Sequence, residues 1–201
     1  MHKFILLMSI VIGFSIGELH AQTPICTFQQ KAVIDKAANT AKKGLTDAIK
    51  ILKLADKPAL DRYTVWFGAP SSDRIEKVIS VYTKALTFFD FQTYRCSNQS
   101  KKTTHAGEAA SVDPSDPLVV TFEQLFFTLN TTGVDSQSGV LVHEVTHHGV
   151  VGDTDDDSTH QDDAKNYGVE PAKKRAKENP IFAVTIADNY QYFLESLMFG
   201  F

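Results

Sequence analysis

From Gln29 to Ala55 the apolar positions are Ile34, Ala38, Ala41, Leu45, Ala48, Leu52 and Ala55. Their steps alternate between four and three, which lines one face of an amphipathic helix. Lys42, Lys43, Lys50 and Lys53 fall on its other face and read as a solvated basic surface. Pro58 closes this region. Arg62-Tyr63-Thr64-Val65-Trp66-Phe67 is an aromatic and β-branched run, broken by Gly68, Ala69 and Pro70. A second helix is predicted from about Ser72 to Phe89, with Ile75, Val78, Ile79, Tyr82, Leu86 and Phe89 as its buried stripe. Residues 91–110 are polar and irregular, and Leu118 to Phe122 reads as a buried strand. Three helical stretches follow: about Ser138 to His148, Asp163 to Lys177, and Pro180 to Leu197. Pro180 suits the first position of the last one. The expected class is α+β, predominantly helical with a small β-sheet. No repeat or linker divides residues 22–201, so a single domain is expected.

The first residues change the picture of where the protein works. Met1-His2-Lys3 precedes an apolar run from Phe4 to Ile16, and Leu19-His20-Ala21 follows. A basic start, a short apolar stretch and a small residue at a polar boundary make a secretory signal, here residues 1–21. The run is too short for a membrane anchor, which takes about 20 apolar residues. A secreted chain without membrane attachment is expected. Its two cysteines, Cys26 and Cys96, then suggest one disulfide. A net charge of −4 offers no basic footprint for nucleic acid. A monomer is expected.

The candidate chemistry lies at His143-Glu144-Val145-Thr146-His147, an HExxH motif. On a helix the two imidazoles share a face and can reach one ion. Two His and a water suit Zn²⁺, one per chain, with Glu144 as the base that takes the proton of an activated water. A third ligand is needed. Downstream, Asp153 to Asp163 holds six Asp in eleven residues. This stretch reads as a solvated acidic loop, as the source of the third zinc ligand, or as a Ca²⁺ loop at Asp153 to Asp157. The Gly and terminal Glu of an EF-hand are absent from it. A purely structural zinc would need a fourth protein ligand, and only an acid-loop residue or His160 offers one.

These residues resemble the aspzincins, the deuterolysin and peptidyl-Lys metalloendopeptidase family. Arg62 to Gly68 is similar to the family's RYxxWFG segment, Asp135-Ser136 to its DS element, and Tyr167-Gly168 to its YG helix. Ile186 to Phe193 resembles its NADxxEYF stretch. The resemblance implies a zincin-like fold and a secreted zinc endopeptidase acting on proteins or peptides. It implies Tyr167 as the donor to the oxyanion and Asp188 as the acid of the pocket for the residue after the cut. Lys-specific members carry a second acid where this chain has Gln191, so Lys preference is one reading and a broader preference another. The family's third ligand is an Asp three residues before the Tyr, and here that position is Ala164. Spacing from His147 points to Asp156. Placement four residues before Tyr167, near a helix start, favours Asp163, and Asp162 is the third alternative. A catalytically inactive secreted binding or toxin-like protein on the same scaffold is the alternative to an enzyme.

Overall fold

The computed structural model describes residues 25–97, 108–113, 118–156 and 166–201. The expected signal peptide lies outside the described residues. Helix α1 (Phe28–Leu54) starts in a capping box, in which Gln30 N donates to Thr27 Oγ1 and Thr27 N donates to Gln30 Oε1. Its predicted stripe is buried from Ile34 to Leu52, while Ala55 is the exposed C-cap past the helix end. Helix α2 (Lys57–Phe67) begins where Pro58 was read as an ending. Asp56 accepts from Ala59 N at 3.0 Å, and the proline sits in the first turn, where its missing N–H costs nothing. The RYTVWF run is therefore the second half of a helix. Tyr63, Trp66 and Phe67, at i, i+3 and i+4, are its buried stripe. The helix stops at Gly68, whose φ is 77°. A Cβ there would lie 2.2 Å from the Ala176 carbonyl oxygen, so glycine answers both the turn and the close approach. Helix α3 (Ser72–Phe88) has the predicted span, but its fully buried stripe is Val78, Val81, Tyr82, Ala85 and Phe88, with the predicted Ile75, Ile79 and Leu86 only half-buried.

The sheet has three strands, β1 (Thr93–Cys96), β2 (Ala110–Val112) and β3 (Val119–Phe122), in the order β1-β3-β2. β1 runs parallel and β2 antiparallel to β3. β1 lies in the stretch read as irregular. It is four residues long, and only Cys96 is fully buried, so no alternation announces it. Cys26 and Cys96 form the expected disulfide, across 70 residues of sequence. It tethers the start of α1 to the sheet, beside an antiparallel bridge between Ile25 and Arg95. Closing so long a loop stabilises the fold by about 4 kcal/mol in the chain-entropy account. Cys26→Ser with Cys96→Ser is expected to lower the stability by ~2–4 kcal/mol in denaturant unfolding, with an unchanged helical circular dichroism signal.

After β3 a short 3₁₀ turn (Gln124–Thr128) leads to α4 (Gln137–His147), which carries the HExxH residues. Helices α5 (Val169–Glu178), α6 (Pro180–Ala183) and α7 (Ala187–Phe199) complete the chain. Two expectations change here. α5 begins at Val169, and Asn166 to Gly168 form a turn instead of a helix opening at Asp163. The stretch predicted as one helix from Pro180 is two, interrupted at Val184-Thr185-Ile186. The break has a tertiary cause. Asp155 N donates to Thr185 O at 2.9 Å and Ala187 N donates to Asp155 O at 3.1 Å, so backbone groups that would continue the helix pair with the loop after α4.

α7 is the hub. Phe67 packs on Tyr190 and Phe193, with ring centroids 5.1 and 5.6 Å apart. Asn189 Nδ2 donates to Trp66 O and Ala172 O, tying α7 to α2 and α5. The residues resembling RYxxWFG are thus packing residues. Among the described residues no helix is long and apolar enough to cross a membrane.

Candidate metal centre

α4 is capped by Ser136, whose Oγ accepts from Gly139 N at 3.0 Å. Leu141, Val142 and Val145 are wholly buried and seat the helix in the core. With those faces fixed, His143 and His147 look the same way, one turn apart, with ring centroids 4.9 Å apart. The chain then doubles back. Val151, Gly152 and Asp153 all donate to His148 O, and Asp153 takes a positive φ of 51°. Thr154 N reaches Thr146 O, and Thr154 Oγ1 donates to Thr146 Oγ1 at 2.9 Å. This turn, pinned to α7 by the Asp155 bridge, delivers Asp156 across the two imidazoles.

Asp156 Oδ1 lies 3.1 Å from His143 Nε2 and 3.5 Å from His147 Nε2. The three donor atoms are all within 4.8 Å of one another. The opposite ring nitrogens are engaged behind the site. His147 Nδ1 is 2.6 Å from the Thr154 carbonyl oxygen, which can only accept. His143 Nδ1 is 3.2 Å from Asp188 Oδ1. In their neutral forms these contacts favour the proton on Nδ1, which leaves both Nε2 lone pairs toward the site. Asp156 Oδ1 and His143 Nδ1 are both buried without an aligned hydrogen bond, the latter in ion-pair contact with Asp188 Oδ1. With the imidazoles neutral the three groups are converging acceptors that fit a cation, and two imidazoles with one carboxylate suit zinc with a position left for water.

Glu144 is nearly buried. Burial pushes its carboxyl up to about 7, against the pull of His143 and His147. A base near neutrality suits proton transfer at physiological pH. Tyr167, exposed at the rim in the turn before α5, has its ring centroid 6.5 Å from that of His143. Asp188 is buried and held by three internal partners: His143, Gly168 N at 2.9 Å and Arg175 at 3.3 Å. Gln191, also buried, donates to Asp135 Oδ1 at 3.1 Å. His148, beside the motif, is buried against Phe88 and stays outside the group.

Asp162, Asp163 and His160 lie outside the described residues. The geometric case for Asp163 placed it on one helical face with Tyr167, and it loses that footing because Tyr167 precedes α5. The calcium reading is not supported. Asp156 turns to the imidazoles, Asp155 pairs with α7 through its backbone, and no acidic cluster forms around Asp153 and Asp155 among the described residues. Asp157 is outside them. Two features escaped sequence reasoning. The Thr154 carbonyl is a backbone group that no residue type announces. The contact of Asp188 with His143 depends on how α7 crosses α4.

The electrostatics give a pH prediction. Burial lowers the His143 pKa, but Asp156 and Asp188 outweigh it and raise it well above 6.5, and His147 is raised too. Burial pushes the Asp156 carboxyl up, but the two imidazoles hold it well below the usual carboxylate range. In the metal-free protein the histidine contribution is therefore complete below about pH 6.5 and lost as pH rises through their raised values. The Asp156 contribution is present above about pH 4 and lost as pH falls below it. Zinc needs neutral imidazoles. Its stabilisation, read as the Tm difference with and without zinc, is expected to be larger near pH 8 than near pH 5.5. An equal or larger difference at the lower pH would count against these ligands.

The comparisons with known proteins agree with this geometry. The aspzincin family model, described as lysine-specific metallo-endopeptidase, matches residues 53–195. An extracellular protease from Aeromonas hydrophila is 32% identical over 85% of the chain, and a peptidyl-Lys metalloendopeptidase from Grifola frondosa is 34% identical over 85%. The chain spans about half the length of these two relatives, 46% and 45%. A peptidyl-Lys metalloendopeptidase from Pleurotus ostreatus is 29% identical over 85% of the chain and 94% of its own length. The solved structure of a zinc peptidase from Grifola frondosa superposes with a TM-score of 0.73 at 32% identity, covering 85% of this chain and 97% of that one. A match that runs from the end of α1 into α7, over a His-His-Asp group on an HExxH helix, means that the chain belongs to the aspzincin family of metallo-endopeptidases.

Proposed function

We propose that the chain is a secreted, zincin-like, zinc-dependent endopeptidase acting as a monomer on protein or peptide substrates. The observation that carries this is the convergence of His143 Nε2, His147 Nε2 and Asp156 Oδ1 with both Nδ1 atoms engaged behind them. Bound zinc would supply Lewis acidity, polarising the scissile carbonyl and lowering the pKa of a water. His143, His147 and Asp156 would hold it.

The remaining work falls to protein groups. Glu144 takes the proton of the attacking water and returns it to the leaving amine. Its buried setting lets it cycle between both forms near neutral pH. The Tyr167 phenol donates to the oxyanion of the tetrahedral intermediate. Tyr167→Phe is expected to lower kcat by about 100- to 1000-fold with zinc retained, a loss of one oxyanion donor. Asp188 holds the His143 ring, since it touches Nδ1. Preference for Lys after the scissile bond is the finer part of the reading. Asp188 already serves Arg175, Gly168 and His143, and Gln191 is neutral, so little negative charge is left for a substrate cation. The expected preference for Lys over norleucine at that position is within about tenfold in kcat/KM, roughly one 1.4 kcal/mol step.

Secretion is supported by the apolar leader and by the Aeromonas relative, described as an extracellular protease. The test uses purified protein on denatured casein. Cleavage is expected with zinc, lost on chelation and restored by zinc. Zinc-loaded protein that leaves casein intact would point to the non-catalytic binding protein on the same scaffold.

A further inference from the structure

We infer that Glu195 is a positioning residue of the zinc centre, whose buried carboxylate fixes α7 against the first turn of α4 and so sets the register in which Asp188 meets His143. This rests on the zinc reading above. Glu195 is wholly buried on α7. Its Oε1 accepts from Ser136 N at 2.7 Å and Ser136 Oγ at 2.8 Å, and its Oε2 accepts from Asp135 N at 3.2 Å. Ser136 Oγ in turn accepts from Gly139 N, so the carboxylate is wired into the helix start.

The space is reserved for that group. A Cβ at Gly139 would lie 1.8 Å from Glu195 Oε1. The backbone of Asp135 is turned to a φ of 54°, and from there its N–H reaches the carboxylate. Burial pushes the Glu195 carboxyl up to about 7, so the site is an expensive place for an acid. Helix capping alone does not call for it, because Ser136 already caps Gly139.

The register explains the expense. Ser136 and His143 are seven residues apart on α4, and Glu195 and Asp188 are seven apart on α7. Seven residues is about two turns, roughly 10 Å along each axis. The two helices run antiparallel, so one pair of contacts fixes the other. Glu195 meets Ser136 at one end, and Asp188 meets His143 at the other. A slide or roll of α7 would withdraw Asp188 from Nδ1 and free the imidazole to rotate. Polar groups buried between helices are well suited to setting such a register.

The test is Glu195→Gln. A carboxamide has one acceptor oxygen and an NH₂ that would face the Asp135 or Ser136 donors, so the three bonds cannot all survive. The expected result is zinc affinity lowered by about tenfold, the range for an outer partner of a ligand. Chelator competition reads this, and the visible spectrum of the Co²⁺-substituted protein should shift with it. kcat should fall with KM nearly unchanged. Ser196→Ala is the control for plain destabilisation. Ser196 neighbours Glu195 but bonds Trp66 Nε1 and Arg62 instead, and its loss should lower Tm with zinc affinity kept. A Glu195→Gln protein with lowered Tm, wild-type zinc affinity and an unshifted Co²⁺ spectrum overturns the inference. Should Glu195→Gln fail to fold, Ser136→Ala decides: weakened zinc binding supports the inference and unchanged binding overturns it. A wild-type protein that binds no zinc sinks the zinc reading first, and this inference with it.

Discussion

Glu144→Gln is expected to lower kcat for peptide hydrolysis by about 10³-fold while zinc stays bound and KM moves little. Glu144 lies between the two imidazoles in sequence and is nearly buried on the same helix, yet it is not one of the converging donor atoms. Glutamine keeps the size and one acceptor but cannot take a proton. The loss should therefore appear in the chemical step and not in metal content. The pH dependence should change as well. In the wild type the acidic limb of kcat/KM is expected to report a group near 7, because burial pushes Glu144 up to about that value. The wild type should thus lose activity as pH falls through that range, as the base is protonated. Zinc analysis beside kinetics settles the point. A variant that loses zinc in proportion to activity would make Glu144 a structural residue instead of the base.

The second large effect is expected at Asp156. Asp156→Ala should lose zinc outright or bind it more than 100-fold more weakly, beyond the ~10–100-fold that an outer partner costs. It removes the oxygen placed 3.1 and 3.5 Å from the two Nε2 atoms. It also leaves two raised imidazoles without their counter-charge, so the metal-free form should be destabilised most at mildly acid pH, where they are protonated. Asp162→Ala and Asp163→Ala are expected to keep zinc. Metal analysis of the three variants side by side gives the answer, and zinc retained by Asp156→Ala would return the ligand to the later acids.

Much of the helical frame was legible from apolar spacing. α1, α3 and α4 each bury an unbroken stripe, and a stripe at a helical period needs no knowledge of its partner. Other elements depended on partners. The short strand β1 carries one fully buried residue and takes its shape from β3. Pro58 can end one helix or begin the next, and only the Asp56 cap decides for the beginning. The break before α7 depends on a backbone pairing with Asp155 that no local propensity encodes.

The site divides in the same way. His143, Glu144 and His147 lie within five consecutive positions of one helix, and the helical period alone brings the two rings to one face. The sequence by itself therefore points to two candidate ligands, a candidate base and the metal class. The third candidate ligand comes from a loop, where distance along the chain says little about distance in space. Only the turn at Val151 to Asp153, the Thr146–Thr154 bonds and the Asp155 bridge bring Asp156 to the rings. The contacts of Asp188 and Glu195 were likewise hidden, because each depends on the register of two helices about forty residues apart in sequence. Tertiary structure decided those contacts, since a carboxylate acts on whatever donor packing puts within about 3 Å of it, and packing is a property of the whole fold.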